Sequence, residues 1–189
     1  IKKNLLTNNI SINSNNIRKN DIFFAIKGPN KDGNNYSDDA IKKKAAFCIV
    51  SKINKKNNKK IKVKKNLKVL TKSAEDVRKV SKAKFISITG SSGKTSLKEL
   101  LAYSLNKLSP TSFSKNSFNN KYGVPLSLIN IKKNHDFGVF EVGMDKAGEI
   151  DSLTKIIKPD LGVITNISYA HIKNFKNLSK IASAKAEIM

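Results

Sequence analysis

Residues 85–101, FISITGSSGKTSLKELL, constrain the fold of this chain more than any other stretch. An apolar strand-like run (Phe85, Ile86, Ser87, Ile88) enters a turn of glycines and serines, followed by Lys94, Thr95 and leucines at 97, 100, 101 and 105 with helical spacing. A strand that ends in a tight glycine-rich loop and feeds a helix aims backbone N–H groups and the positive end of the helix dipole at one point. That point suits a phosphate. Lys94 is placed to reach the β- and γ-phosphates of a nucleotide, and the Thr95 hydroxyl to ligate magnesium. The candidate ATP-binding residues are therefore Gly90, Ser91, Ser92, Gly93, Lys94, Thr95 and Ser96. The general pattern Gly-x-x-x-x-Gly-Lys-[Ser/Thr] is met except at its first glycine, where Ile88 stands. A plainer reading is a strand-to-helix turn whose glycines only supply permissive dihedrals; the strand before it and the helix after it weigh against that reading.

Along the rest of the chain strand and helix patterns alternate. DIFFAI (21–26) and AFCIV (46–50) read as strands with a polar helix between them at about 38–44, and NLKVL (66–70) reads as another short strand. Ser73 and Asp76 resemble a capping box opening a helix that leads to the phosphate loop. Beyond the loop come a strand at 136–143, a helix at 148–157, a strand at 161–165 and a helix from near Leu178. Strands separated by helix-length segments predict an α/β fold with a mostly parallel sheet covered on both faces. A boundary near Lys82 divides it into a small mixed α/β domain (1–81) and a phosphate-loop domain (82–189).

Ligands in such sheets gather at the carboxyl ends of the strands. This singles out Glu141, a carboxylate able to share a magnesium ion with Thr95, against the alternative of a strand-end glutamate facing solvent. Thr165 and Asn166 hold the equivalent place on the next strand, and His171, five residues on, is either a surface histidine or a metal ligand. Asn119 and Asn120 could bind substrate or simply stabilise a turn.

The formal charge of +23 would suit a nucleic-acid binder, yet all but two of the 37 basic residues are lysine, the exceptions being Arg18 and Arg78. Base readout and bidentate phosphate clamps favour arginine, and the basic run KKNNKKIKVKK (55–65) has no interleaved aromatics. It reads as a solvated loop or edge, and no nucleic-acid partner is expected. Cys48, the single cysteine, lies in an apolar run and reads as a buried core thiol. No apolar run is long enough to span a bilayer and no secretory segment is evident, so membrane insertion and export are not indicated and a cytoplasmic location is expected. A chain that starts at Ile1 and ends at Met189 reads as a piece of something longer.

Five blocks, TGSSGKT (89–95), NSFNNKYGVPLSL (116–128), EVGMDKAGEI (141–150), TNISYAHIKNF (165–175) and AKAEI (184–188), in this order and spacing resemble the Mur ligase family. The family's phosphate loop lacks the first glycine, which accounts for Ile88. Residues 20–41 are similar to the amino-terminal, UDP-substrate domain of the same family, with departures. Asn13, Ser14 and Asn15 stand where Asp-Ser-Arg is usual near the uridine site, and Asp32, Gly33 and Asn34 stand where Asp-Gly-His is usual.

The resemblance implies a monomeric, ATP- and magnesium-dependent amide-bond ligase of peptidoglycan precursor synthesis working through an acyl phosphate. The paired asparagines favour the member that joins D-alanyl-D-alanine to UDP-N-acetylmuramoyl-tripeptide over the sister that adds a single amino acid. The amino-terminal block argues against folylpolyglutamate synthase and cyanophycin synthetase. The resemblance also implies roles: Lys94, Glu141, His171 and Lys185 catalytic; Thr95, Glu141, His171 and Lys185 metal-binding, the lysine as a carbamate; Ser14, Asn119, Asn120, Thr165 and Asn166 substrate-binding. The family's central domain runs past Met189 into a third domain, so this chain is expected not to turn over alone. A non-catalytic ATP-binding module remains the alternative.

Overall fold

The computed structural model describes residues 9–53, 55–170 and 172–189. The chain divides into two compact units, Ile1–Ala74 and Glu75–Met189.

In the first unit four short strands, β1 (Ile10–Ser11), β2 (Ile22–Phe24), β3 (Phe47–Val50) and β4 (Lys60–Lys62), form a parallel sheet in that order. Parallel neighbours need crossovers. Helix α1 (Ser37–Lys42) supplies the one between β2 and β3, with Asp38 and Asp39 in its first turn where the helix dipole favours negative charge. Ala40 of this helix joins Ile17, Phe23, Ala25, Ala45, Cys48 and Val50 in one buried cluster. The Cys48 thiol is pushed up to about 11 by that burial, as befits a core residue. The basic run 55–65 yields strand β4 at the sheet edge, where Lys60 pairs with Asp38 at 2.8 Å.

One expected element is corrected. Residues 66–70 are not a strand, and Ser73 opens no helix: both lie within α2 (Asn66–Val80). Asn66, Leu70, Ala74 and Val77 recur at helical spacing and are all buried, and Asn66 Nδ2 donates to the Ala25 carbonyl at 2.6 Å. A long amphipathic helix, favoured also by Leu67 and Leu70, outweighs the β-propensity of Val69. The division between the units falls inside this helix, ahead of Lys82. Its second half belongs to the second unit, where Arg78 lies 4.2 Å over the Phe85 ring and donates to the carbonyls of Ile157 and Lys158.

The second unit is a β/α alternation: β5 (Lys84–Thr89), α3 (Lys94–Asn106), β6 (Thr111–Phe113), α4 (Gly123–Ile129), β7 (Phe137–Glu141), α5 (Glu149–Ile157), β8 (Leu161–Ile164) and α6 (Leu178–Ala186). Its parallel sheet has the order β6-β7-β5-β8. The chain leaves β5 toward β6 on one side and later adds β8 on the other, so β5 is the switch point at which such sheets bind ligands. Ile86, Ile88 and Val139 pack against Ala102, Leu97, Leu101 and Leu105 of α3. Leu100, included in the apolar face by spacing alone, points out and is 64% exposed. Helix α4 escaped the periodicity reading because it is buried almost all round and has no polar face to set a period.

Candidate active site

The phosphate loop is shaped by two glycines and by the segment after β8. Gly90 has φ +150, and a Cβ there would lie 1.8 Å from Thr165 Oγ1. Gly93 has φ 76 and starts α3 without any side-chain cap, so the first N–H groups of the helix keep their donor capacity for a ligand. Thr165 Oγ1 donates to the Ser92 carbonyl at 2.6 Å. The Asn166 amide oxygen accepts from the N–H groups of Ser91 and Ser92 at 3.2 and 3.0 Å, and its nitrogen donates to Ser92 Oγ at 2.8 Å. The polar groups of Thr165 and Asn166 thus clamp the loop. Lys94 Nζ donates to the Gly90 carbonyl at 2.8 Å, a bond to a neutral partner that a phosphate oxygen can replace with a stronger one.

Glu141 ends β7 opposite Ile88, beside the start of the loop. It is 2% exposed, which removes the solvent-facing alternative. Thr95 Oγ1 donates to Glu141 Oε2 at 2.6 Å, and Asn119 Nδ2 donates to Glu141 Oε1 at 2.8 Å. The Ser114 hydroxyl accepts from the Glu141 N–H at 3.2 Å. Asn120 differs from its neighbour: its amide oxygen accepts from the N–H groups of Tyr122 and Gly123, capping the turn into α4.

A cleft of about 600 Å³ opens here, lined among others by Gly90, Lys94, Asn119, Asn120 and Lys185. Lys185, on α6, is 1% exposed. Burial, helped by the charge of Lys94, lowers its ammonium pKa to about 8, so a neutral amine is far more accessible than for a surface lysine.

The structure thus brings Gly90, Ser91, Ser92, Gly93, Lys94, Thr95, Glu141, Asn119, Asn120, Thr165, Asn166 and Lys185 into the second unit around one loop and cleft. Ser96 lies exposed in the first turn of α3. Ser14 belongs to the first unit, where it is buried and its carbonyl accepts from Lys43 Nζ at 3.1 Å. His171 lies outside the described residues. Sequence reasoning missed Lys98, Ser114 and Glu187. Glu187 caps the start of α5 by accepting from the N–H groups of Gly148 and Asp151 at 2.8 and 3.1 Å, a role no local spacing signals. Lys98 is wholly buried, and its place on the apolar face of α3, next to Leu97 and Leu101, was the available signal.

The chain is similar to known proteins in sequence and in fold. Residues 88–189 match the Mur ligase middle domain, and residues 7–102 match the Mur ligase family catalytic domain. The chain belongs to the Mur ligase family. It is 42% identical to the UDP-N-acetylmuramoyl-tripeptide–D-alanyl-D-alanine ligase of Rickettsia prowazekii, covering 100% of this chain and 42% of the relative. The corresponding ligase of Buchnera aphidicola from Acyrthosiphon pisum is 40% identical over 97% of this chain and 40% of its own length. Among solved structures, MurF from Thermotoga maritima in complex with ADP superimposes with a TM-score of 0.83 at 32% identity, over 97% of this chain and 43% of that one. The chain spans about two fifths of the length of these relatives.

Proposed function

We propose that this chain carries the UDP-substrate and ATP-binding portions of an ATP-dependent ligase that joins D-alanyl-D-alanine to UDP-N-acetylmuramoyl-tripeptide. One observation carries the reading: a buried Glu141 is bonded at once to Thr95 of the phosphate loop and to Asn119 of the cleft. The identities of the relatives support the choice of substrates. The reaction consumes ATP and a UDP-linked precursor, which assigns it to the cytoplasm.

The hydroxyl of Thr95 and the carboxylate of Glu141 are hard oxygen donors 2.6 Å apart, and they fit magnesium. Among the described residues no three His, Cys, Asp or Glu side chains converge, so Thr95 and Glu141 would hold an ion together with phosphate oxygens and water, the usual magnesium arrangement. When bound, magnesium neutralises charge on the transferring phosphoryl group.

The chain's own residues place the reactants. The loop and the start of α3 hold the β- and γ-phosphates, and Lys94 exchanges the Gly90 carbonyl for a phosphate oxygen. Asn119 and Asn120, on the cleft wall, position the peptide end of the acceptor. The acceptor carboxylate attacks the γ-phosphorus, ADP leaves, and an acyl phosphate results. The amine of D-alanyl-D-alanine then attacks the acyl carbon, and the tetrahedral intermediate collapses to an amide and inorganic phosphate. Placement and electrostatics do most of this work. Lys185 in its neutral form would add to carbon dioxide with loss of a proton, and its carbamate and His171 would be the residues to hold a second ion.

Phosphate release by the whole ligase, assayed with ATP, magnesium and both substrates, tests the reading. Release must require the tripeptide nucleotide and the dipeptide together, and Lys94→Ala must abolish it in a folded protein. Turnover by that variant within a few-fold of wild type overturns the assignment.

A further inference from the structure

Lys98 lies one turn beyond Thr95 on α3, with its side chain 0% exposed and no part in the reaction just described. A fully buried ammonium is costly to desolvate and persists only where its surroundings satisfy it. Here three oxygens do so: the carbonyls of Ser114 and Asn116, each at 2.8 Å, and Glu99 Oε1 at 2.8 Å. The two carbonyls straddle Lys115 at the start of the loop that crosses from β6 to α4. Asn116 is left-handed, with φ 49, a conformation that costs an L-residue free energy and must be held by its surroundings.

What this loop carries gives the pin its function. Ser114 accepts the Glu141 N–H on its hydroxyl while its carbonyl is held by Lys98. Asn119, further along the same loop, donates to Glu141 Oε1 and accepts the Gly143 N–H on its carbonyl at 2.8 Å. Both routes from the ammonium end on Glu141, one at its backbone N–H and the other at the carboxylate that also meets Thr95.

We propose that Lys98 is a positioning residue: its ammonium pins the 114–120 loop so that Ser114 and Asn119 hold Glu141 in register with Thr95. This rests on the reading of Glu141 as a metal-holding residue. An apolar side chain at 98 takes the ammonium donor from the buried Ser114 carbonyl and the partly buried Asn116 carbonyl, and the loop must move to find partners.

The test uses the whole ligase with Lys98→Met. Two quantities are read well below the melting temperature: Mn²⁺ affinity by electron paramagnetic resonance, and hydrogen exchange of the 114–120 amides in metal-free protein. Mn²⁺ affinity is expected to fall about tenfold or more, the usual effect of losing an outer-shell support, with faster exchange confined to the loop. A purely structural lysine would lower the melting temperature and leave both quantities within twofold of wild type, and that result overturns the proposal. Should the methionine variant not fold, Lys98→Gln, which keeps two N–H donors on a shorter stem, is read by the same two measurements with the same criteria. Glu141→Gln run in parallel separates the two readings: if it leaves Mn²⁺ affinity unchanged the metal assignment fails, whereas if it abolishes binding while the Lys98 variants do not change it, only the positioning role fails.

Discussion

Two glycine-bearing turns, Asp32–Asn34 in the first unit and Gly90–Thr95 in the second, are built from similar residues and end in opposite conditions. In the first, the polar atoms close on one another. Asp32 Oδ1 accepts from the Asn34 N–H and side-chain amide at 2.9 and 2.6 Å, and those bonds hold its carboxyl below the usual range. Asn34 Oδ1 accepts from the N–H groups of Ser51 and Lys52 at 2.9 and 3.2 Å. The turn at 13–15 behaves alike, with Asn13 Oδ1 capping the Asn15 N–H. In the second, the start of α3 has no side-chain cap and Lys94 rests on backbone carbonyls. The difference teaches how to tell a structural turn from a binding loop: a side chain whose donors and acceptors are all satisfied within the protein has nothing left for a ligand. It also gives the asparagine at 34 a structural occupation of its own.

The comparison is broken most severely at Lys185, which is buried beside the phosphate loop with Lys94 as its charged neighbour. Lys185→Ala in the whole ligase is expected to lower turnover by about a thousandfold, the scale of a charge placed at the transferring group. Short carboxylates such as acetate should restore part of it by taking the vacated ligand position. The sign of the pH effect follows from the lowered pKa. The folded protein holds this amine at about 8 and the unfolded chain near 10.5, so the unfolded state binds more protons between those values. Stability therefore rises with pH through that window, and Lys185→Met, which has no such group, should flatten this part of a melting-temperature profile. Near-normal turnover together with an unchanged profile would leave Lys185 a buried lysine with no part in the reaction.

The loop glycines sharpen the contrast next. Gly90→Ala places a methyl 1.8 Å from Thr165 Oγ1, an overlap that forces the loop open. A loss on the order of 3 kcal/mol, about a hundredfold in nucleotide affinity, is expected from titration with fluorescent ADP. At Gly93 a Cβ meets open space, and only the left-handed backbone resists it. Gly93→Ala should therefore cost about 1–2 kcal/mol, roughly tenfold in the same titration. Equal effects at both positions would mean that the clamp from Thr165 does not shape the loop.

How much of this was legible follows the same division. The strand, loop and helix from 85 to 101 declare themselves locally, because the backbone path there needs particular residues at particular places. Glu141 could be placed at a strand end by pattern, but its burial depends on Asn119 and Thr95, which are remote in sequence. Helix α2 was misread because a five-residue window with three apolar residues cannot reveal the helical period that only the longer window shows. Lys98 was passed over since a lysine is solvated by default, although its place beside Leu97 and Leu101 on the apolar face set it apart from the many that are. The clamp of Thr165 and Asn166 on the loop is likewise a product of sheet order, β8 lying beside β5, which no single-strand pattern encodes.

In the first unit Asn34→Ala is the matching disruption. It leaves the N–H groups of Ser51 and Lys52 without their acceptor in a half-buried setting, at a cost of about 2 kcal/mol. The melting temperature should fall while ADP affinity stays within twofold of wild type. A fall in ADP affinity of more than tenfold would erase the distinction between the two turns.

The smallest effect expected concerns a property both units share, the excess of lysine. With a formal charge of +23, some attraction to any polyanion is unavoidable at low ionic strength. Scattered lysines make phosphate contacts one at a time and read no bases, so binding to duplex DNA should be weak and independent of sequence. Each such contact releases counterions, and the affinity should drop steeply as salt rises. The lysines nearest the phosphate loop are poor candidates for a duplex surface: Lys98 and Lys185 are buried, and Lys94 is tied to the loop carbonyls. A labelled duplex titrated at about 20 mM and about 150 mM salt should therefore show measurable binding only in the first condition. Retention at the higher salt, with preference for one sequence, would mean that the charge is organised into a binding face and that the solvated-surface account of the lysines is wrong.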